Sequence, residues 1–385
     1  MSIEDGYPLS LPHVLYHVLL ILLKNMLSIE SARDVSLILA VLLRVGLGVI
    51  LFLAIRQYVP KHLSNSVIVA AVILLLLSAP IYLFDRSPYL SYINYLPYHN
   101  PTQNMMLVFA VPVSLIALRA VVPKPFSNLN QRVFFTLLSV LAVLLLSLSK
   151  PSYSIALLPA LGLAVLYRLV RRQPVDWLLL ILGLGVPFML MLGIQYLVTY
   201  NAPENASIGI GWLMFYRLHR YQAWEVAVSL LLSVLFPLSV YVLYVKQAVR
   251  DAYLNFSWLV FGVSLVWSYF FFERGDRDYH GNFVWSAYVA LFMLVFNTFL
   301  FVIKQYAATP LKLSWRTGII AMVLCASLVS GAITAYRIAN YNPVEYLSRA
   351  TLTNIFSRLY SPECGMSSFF EPRYLSALNQ PTYCY

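Results

Sequence analysis

The sequence predicts an all-α fold: a polytopic helical membrane protein with about ten transmembrane helices and an N-terminal interfacial helix. Three observations predict it. Of 385 residues, 61% are hydrophobic and only 11% charged, with mean hydropathy +0.75, too apolar for a water-soluble domain. The apolar residues gather in runs near the roughly 17 to 25 residues that a bilayer-crossing helix needs. Lys and Arg concentrate in alternate short connections, as the positive-inside rule expects. The net charge of +11 is therefore spread between apolar runs and forms no basic block with interleaved aromatics, so nucleic acid is not expected as a partner.

Taken in order, the chain opens with residues 1–11, which carry Glu4 and Asp5 and lack the basic start and small-residue cleavage site of a signal peptide. Residues 12–24 form a short apolar run with His13 and His17 four apart, ending on Lys24. It reads as an amphipathic helix in the interface, with a true span as the alternative. Spans are then expected at 35–55, 66–84, 104–122, 133–148, 152–170, 177–198, 226–245, 256–272, 283–303 and 317–338. Arg44 and Gly46 within the first require a protein or wet neighbour, and Pro80, Pro112, Pro159 and Pro187 are expected to kink their helices. The chain divides into one transmembrane domain over 1–338 and a tail over 339–385.

The connections set the orientation. Those at 56–61, 119–132, 168–172, 246–250 and 304–316 are basic and are assigned to the cytoplasm. The alternate ones, 85–103, 149–151, 200–224 and 273–282, then share the outer side with the tail, in a plasma (inner) membrane. Cys325 in the last span is expected to be inert packing. Cys364 and Cys384, both in the outer tail, could pair in an oxidising compartment, a cross-link worth about 3 kcal/mol in the chain-entropy model, or remain free thiols.

The chemistry is expected in the outer connections. Between two apolar runs lie Glu273, Arg274, Asp276, Arg277, Asp278 and His280, a cluster that cannot face lipid, where each charge costs roughly 2.5 to 3.5 kcal/mol. Glu273, Asp276 and Asp278 offer a base and His280 a proton shuttle, while Arg274 and Arg277 can hold a phosphate or simply pair with the carboxylates. Two carboxylates and the histidine could also hold a divalent cation, although their spacing fits no metal motif and no cofactor is firmly indicated. His99 and Asn100 precede Pro101, a residue suited to a first helical turn, and so stand at an anion-favouring helix start or merely at a helix entry. Lys150 occupies a connection with almost no room for a loop, placed to grip phosphate or to snorkel. Arg217 and Arg220, among Trp212, Phe215, Tyr216, Tyr221 and Trp224, could bind a lipid headgroup or anchor an interfacial helix.

Residues 6–17, His99-Asn100-Pro101-Thr102, Ser149-Lys150-Pro151-Ser152 and the 273–282 loop together resemble the GT-C-type membrane glycosyltransferases and related envelope polysaccharide polymerases. The resemblance covers most of the chain as architecture. It implies a sugar donor carried on polyprenyl phosphate, a lipid-linked or glycan acceptor at the outer face, and a catalytic carboxylate in the first outer loop, for which Asp5 is the carry-over. That family has a membrane helix before this loop, whereas in this chain Asp5 stands close to Met1, so either that helix is missing or the base lies elsewhere. The competing class is a transporter or flippase for a lipid-linked or anionic solute, using the same basic and aromatic groups without bond making.

Overall fold

The computed structural model describes residues 14–29, 31–82, 90, 101–123, 126, 128–200, 207–275, 281–308 and 314–339. The Cys364 and Cys384 pair and nearly all of the 339–385 tail lie outside them. The described residues form an all-α polytopic membrane protein. Helix α1 (Val14–Leu27) is short and leads into α2 (Ala32–Tyr58), α3 (Asn65–Leu77), α4 (Pro101–Val121), α5 (Leu129–Ser149) and α6 (Ser152–Val170). A π-helical segment (Leu179–Gly185) runs into α7 (Val186–Tyr200). Strand β1 (Ser207–Ile210) and helices α8 (Met214–Leu218), α9 (Ala223–Ser233), α10 (Leu235–Leu243) and α11 (Val245–Ala248) follow. The chain continues through α12 (Ala252–Phe270), β2 (Phe271–Arg274), α13 (Val284–Ala308) and α14 (Trp315–Ala339).

Local sequence explains the helix starts. Ser31, Asn128 and Asp251 each accept a hydrogen bond from the backbone N–H three residues on, capping α2, α5 and α12. The most enclosed helices are α4 and α13, and in α13 every residue from Val289 to Leu294 is buried. Around them α2 turns Leu37, Val41, Val45, Val49 and Leu53 outward, a ridge with the four-residue spacing of one helix face that suits acyl chains. Arg44 is not exposed to that surface: its Nη2 donates to Asn104 Oδ1 at 3.3 Å, and α2 runs past it unbroken.

Eight helices among the described residues are long and apolar enough to span, or nine if α9 and α10 count as one, against the ten expected. Two of the expected spans are interrupted. Within the expected 66–84 span the described residues, which run to Tyr82, are helical only to Leu77, a rod of roughly 20 Å against a hydrocarbon core of about 30 Å. Pro80 has no N–H to continue the helix and forces Ala79 out of helical conformation. The extended strip is held by α14: Ala79 N–H donates to Ser327 O, Ser330 Oγ to Pro80 O, and Tyr82 N–H to Ser330 Oγ. The 226–245 segment bends by 60° between α9 and α10. Pro237 cannot donate to the carbonyl of Ser233, and Ser233 Oγ bonds back to Ser229 O, an arrangement that bends helices.

Proline also accounts for the π-helical stretch. Pro187 leaves the Gly183 carbonyl without its helical donor, and Ser139 Oγ of α5 supplies one at 2.8 Å. A side chain at Gly183 would press on Ser139 at 3.1 Å, so glycine permits this close approach. A further departure from expectation is a two-stranded antiparallel pair in which Ser207, Ile208, Gly209 and Ile210 face Arg274, Glu273, Phe272 and Phe271. The 256–272 span therefore ends at Phe270. Cys325 is exposed on α14, not packed inside, because its face of the helix looks outward.

The connections collect at two ends of the bundle. At one, Tyr58, Asp251, Tyr253 and Lys304 meet: the Lys304 ammonium lies 4.5 Å from the Tyr253 ring and 3.9 Å from Asp251 Oδ2. At the other, three of the four acid-bearing or lysine-bearing connections assigned together from sequence, 149–151, 200–224 and 273–282, come into contact.

Candidate functional site

At that second end α5 turns into α6 through two residues, Lys150 and Pro151. Lys150 N–H closes the last turn of α5 on Leu146 O, and Pro151 O receives the first bond of α6 from Ile155. So tight an elbow fixes the Lys150 backbone between two helices. Its side chain is 3% exposed, with the ammonium 4.6 Å from the centre of the Trp285 ring in the first turn of α13. Such a cation over an indole gains about 2 kcal/mol when desolvated, which offsets only part of the cost of burial.

Glu273 on β2 is 1% exposed and near enough for its charge to act on this lysine. Asn282 Nδ2 donates to its Oε2 at 2.7 Å. Burial pushes the Lys150 amine down to about 7, and the Glu273 charge keeps it from falling further. At the same end Trp267, Phe271 and Phe283 pack on one another, with Trp267 stacked on Phe283 at 5.8 Å.

The strand pair positions the carboxylate. Gly209 lies opposite Phe272, and a side chain there would fall 2.5 Å from Arg274 Nε and 2.6 Å from the Phe272 ring, so only glycine lets the strands close. Beyond β1, Gly211 N–H and Leu213 N–H donate to Phe270 O and Tyr269 O, extending the pairing to the end of α12. Tyr216 joins the same end through a 2.9 Å hydroxyl contact with Ser268.

Of the residues singled out from sequence, Lys150 and Glu273 come together. Arg217, Arg220 and Arg274 are exposed on the segments adjoining the strand pair, and the Arg274 guanidinium lies 5.4 Å from the Phe272 ring. Asp5, His99, Asn100, Asp276, Arg277 and His280 lie outside the described residues. Sequence reasoning did not pick out Asn282 or Trp285, although both stand beside the charge cluster at the entry to a helix. His219 belongs to the aromatic and basic stretch between 200 and 224. That ring is buried, with Nδ1 2.9 Å from Phe215 O, and burial lowers its pKa. Among the described residues no group of three or more His, Cys, Asp or Glu side chains could hold a metal ion.

Two polar pairs sit inside the otherwise apolar core: Ser114 and Tyr153 hydroxyls meet at 2.6 Å and Asn297 Nδ2 donates to Ser257 Oγ at 2.7 Å, both lining a void of about 10 Å³ that also touches Tyr253. Such a volume is close to the least that holds one water. No protein-family model, curated protein or solved structure matches this chain.

Proposed function

We propose that this protein is a membrane glycosyltransferase, moving a sugar from a polyprenyl-phosphate carrier to a lipid-linked or glycan acceptor at the outer face of the plasma membrane. The observation that supports this reading is the enclosure of Lys150 and Glu273 together at one end of the bundle. Ionisable groups so placed in a membrane protein are expensive and mark function by default.

In the proposed reaction Glu273 accepts the proton of the acceptor hydroxyl as its oxygen attacks the anomeric carbon. The bond from that carbon to the carrier phosphate breaks, and its electron pair leaves with the phosphate. Lys150 and the exposed Arg217, Arg220 and Arg274 supply positive charge for the departing anion. Glu273 then returns its proton to water. Asp5, Asp276 and His280 are alternative proton carriers, and His99, Asn100 and Arg277 alternative phosphate contacts. The tail is assigned to the outer side by the charge rule alone.

The test is release of polyprenyl phosphate from a labelled donor by purified protein in liposomes, with and without chelator. Glu273→Gln and Lys150→Met are each expected to slow release by about 100-fold or more while leaving the protein folded. Wild-type protein that moves the intact labelled lipid across the bilayer without cleaving it would establish the transporter reading instead.

A further inference from the structure

At the end of the bundle away from Lys150, α4, α5 and the π-helical segment frame an open cleft of about 610 Å³. Its walls are apolar at Pro123, Phe126, Leu129 and Val175 and polar at Asn128, Arg132 and Asp176. Asp176 pins this corner: its N–H donates to Ala120 O, its Oδ1 caps Leu179 N–H, and the same oxygen takes Arg132 Nη2 at 2.6 Å.

The charge of the corner is not balanced by that pair. Arg119 lies 4.2 Å from the Phe126 ring and 4.9 Å from Phe135, and Arg168 donates through Nε and Nη2 to Pro174 O beside the cleft. Of these three guanidiniums, only that of Arg132 forms an ion pair with Asp176. The Nε atoms of Arg119 and Arg132 are buried with no hydrogen-bond partner among the described residues. The first-turn amides of α5 add positive potential, since Asn128 caps only one of them. Leu129 on the cleft wall, and Phe134 and Trp177 outside it, are exposed, a surface that acyl chains would cover.

We propose that this cleft binds an anionic phospholipid, its phosphate against Arg132 with the Arg168 charge beside it, and its upper acyl carbons along Phe126 and Leu129. A soluble anion would satisfy the guanidiniums and leave the apolar rim bare, so the occupant must carry both chemistries. This site is separate from the Lys150 end and does not depend on the reaction proposed there.

The experiment is native mass spectrometry of the purified full chain equilibrated with phosphatidylglycerol or phosphatidylcholine, with excess inorganic phosphate as competitor. Preferential retention of phosphatidylglycerol that phosphate does not displace is the expected result. Arg132→Lys keeps a cation for Asp176 but removes the planar guanidinium and its several donors, and Arg168→Gln removes a charge beside the cleft. Each is expected to lower phosphatidylglycerol retention about five-fold, with phosphatidylcholine retention unchanged. Equal retention of the two lipids, full displacement by phosphate, or variants that elute as folded protein and retain lipid like the wild type would overturn the proposal.

Discussion

Replacing Lys150 with methionine gives a direct measure of what the buried amine costs. In the folded chain its pKa lies near 7, against 10.5 for a free lysine side chain, because burial outweighs the attraction of Glu273. Between these values the unfolded chain binds a proton that the folded chain does not, so stability rises with pH through that window. The slope is about 1.4 kcal/mol per pH unit, and the whole window amounts to roughly 5 kcal/mol. Methionine fills a similar volume and titrates nothing. The unfolding free energy of the wild type minus that of Lys150→Met should therefore climb by about 2 kcal/mol, to order of magnitude, between pH 7 and pH 9. The assay is reversible unfolding in mixed micelles at pH 6, 7, 8 and 9, with the difference taken at each pH so that other titrating groups cancel. Below about pH 7 the difference should flatten. A difference that stays level from pH 7 to 9, or falls, would mean that the amine keeps its proton in the folded chain and that burial does not outweigh the pull of Glu273.

Three further outcomes follow from the packing. Gly209→Ala drives a methyl group into Arg274 and the Phe272 ring and should destabilise by about 1 to 3 kcal/mol, read as faster amide exchange across 207–210 and 271–274. Ser330→Ala leaves Pro80 O and Tyr82 N–H without their hydroxyl partner, at a cost of about 1 to 3 kcal/mol, with exchange at the Tyr82 amide as the local reporter. Asp176→Ala removes the cap on Leu179 and the partner of Arg132. A thermal-shift measurement should show a loss of about 1 to 2 kcal/mol, modest because Arg132 is partly solvated and its ion pair screened.

The membrane fold was legible because the bilayer imposes a length on every span, and eight of the ten predicted runs are long helices. The two that are not were marked by Pro80 and Pro237. Pro80 reads naturally as a kink, since many membrane helices carry proline inside them, as α4 and α6 do. Its conversion into a helix end depends on Ser327 and Ser330, about 250 residues away, which no local pattern announces. The strand pair was hidden for a related reason. Four residues are too few to show a two-residue period, and Phe271 and Phe272 look like the last turn of α12. Sidedness brought Lys150 and Glu273 to the same end, but their burial was not readable. A carboxylate among Arg274, Asp276, Arg277 and Asp278 reads as solvated, and only the pairing with β1 turns it inward.

That pairing joins segments more than sixty residues apart through four residues on each side. Strand side chains alternate between faces, so a slip of a single position would swing Glu273 away from Lys150 and offer Phe272 or Arg274 in its place. The register of this short ribbon therefore acts as a latch on the buried acid: whatever tugs on the loop carrying Trp212 and Arg217 also decides whether the lysine keeps its counter-charge.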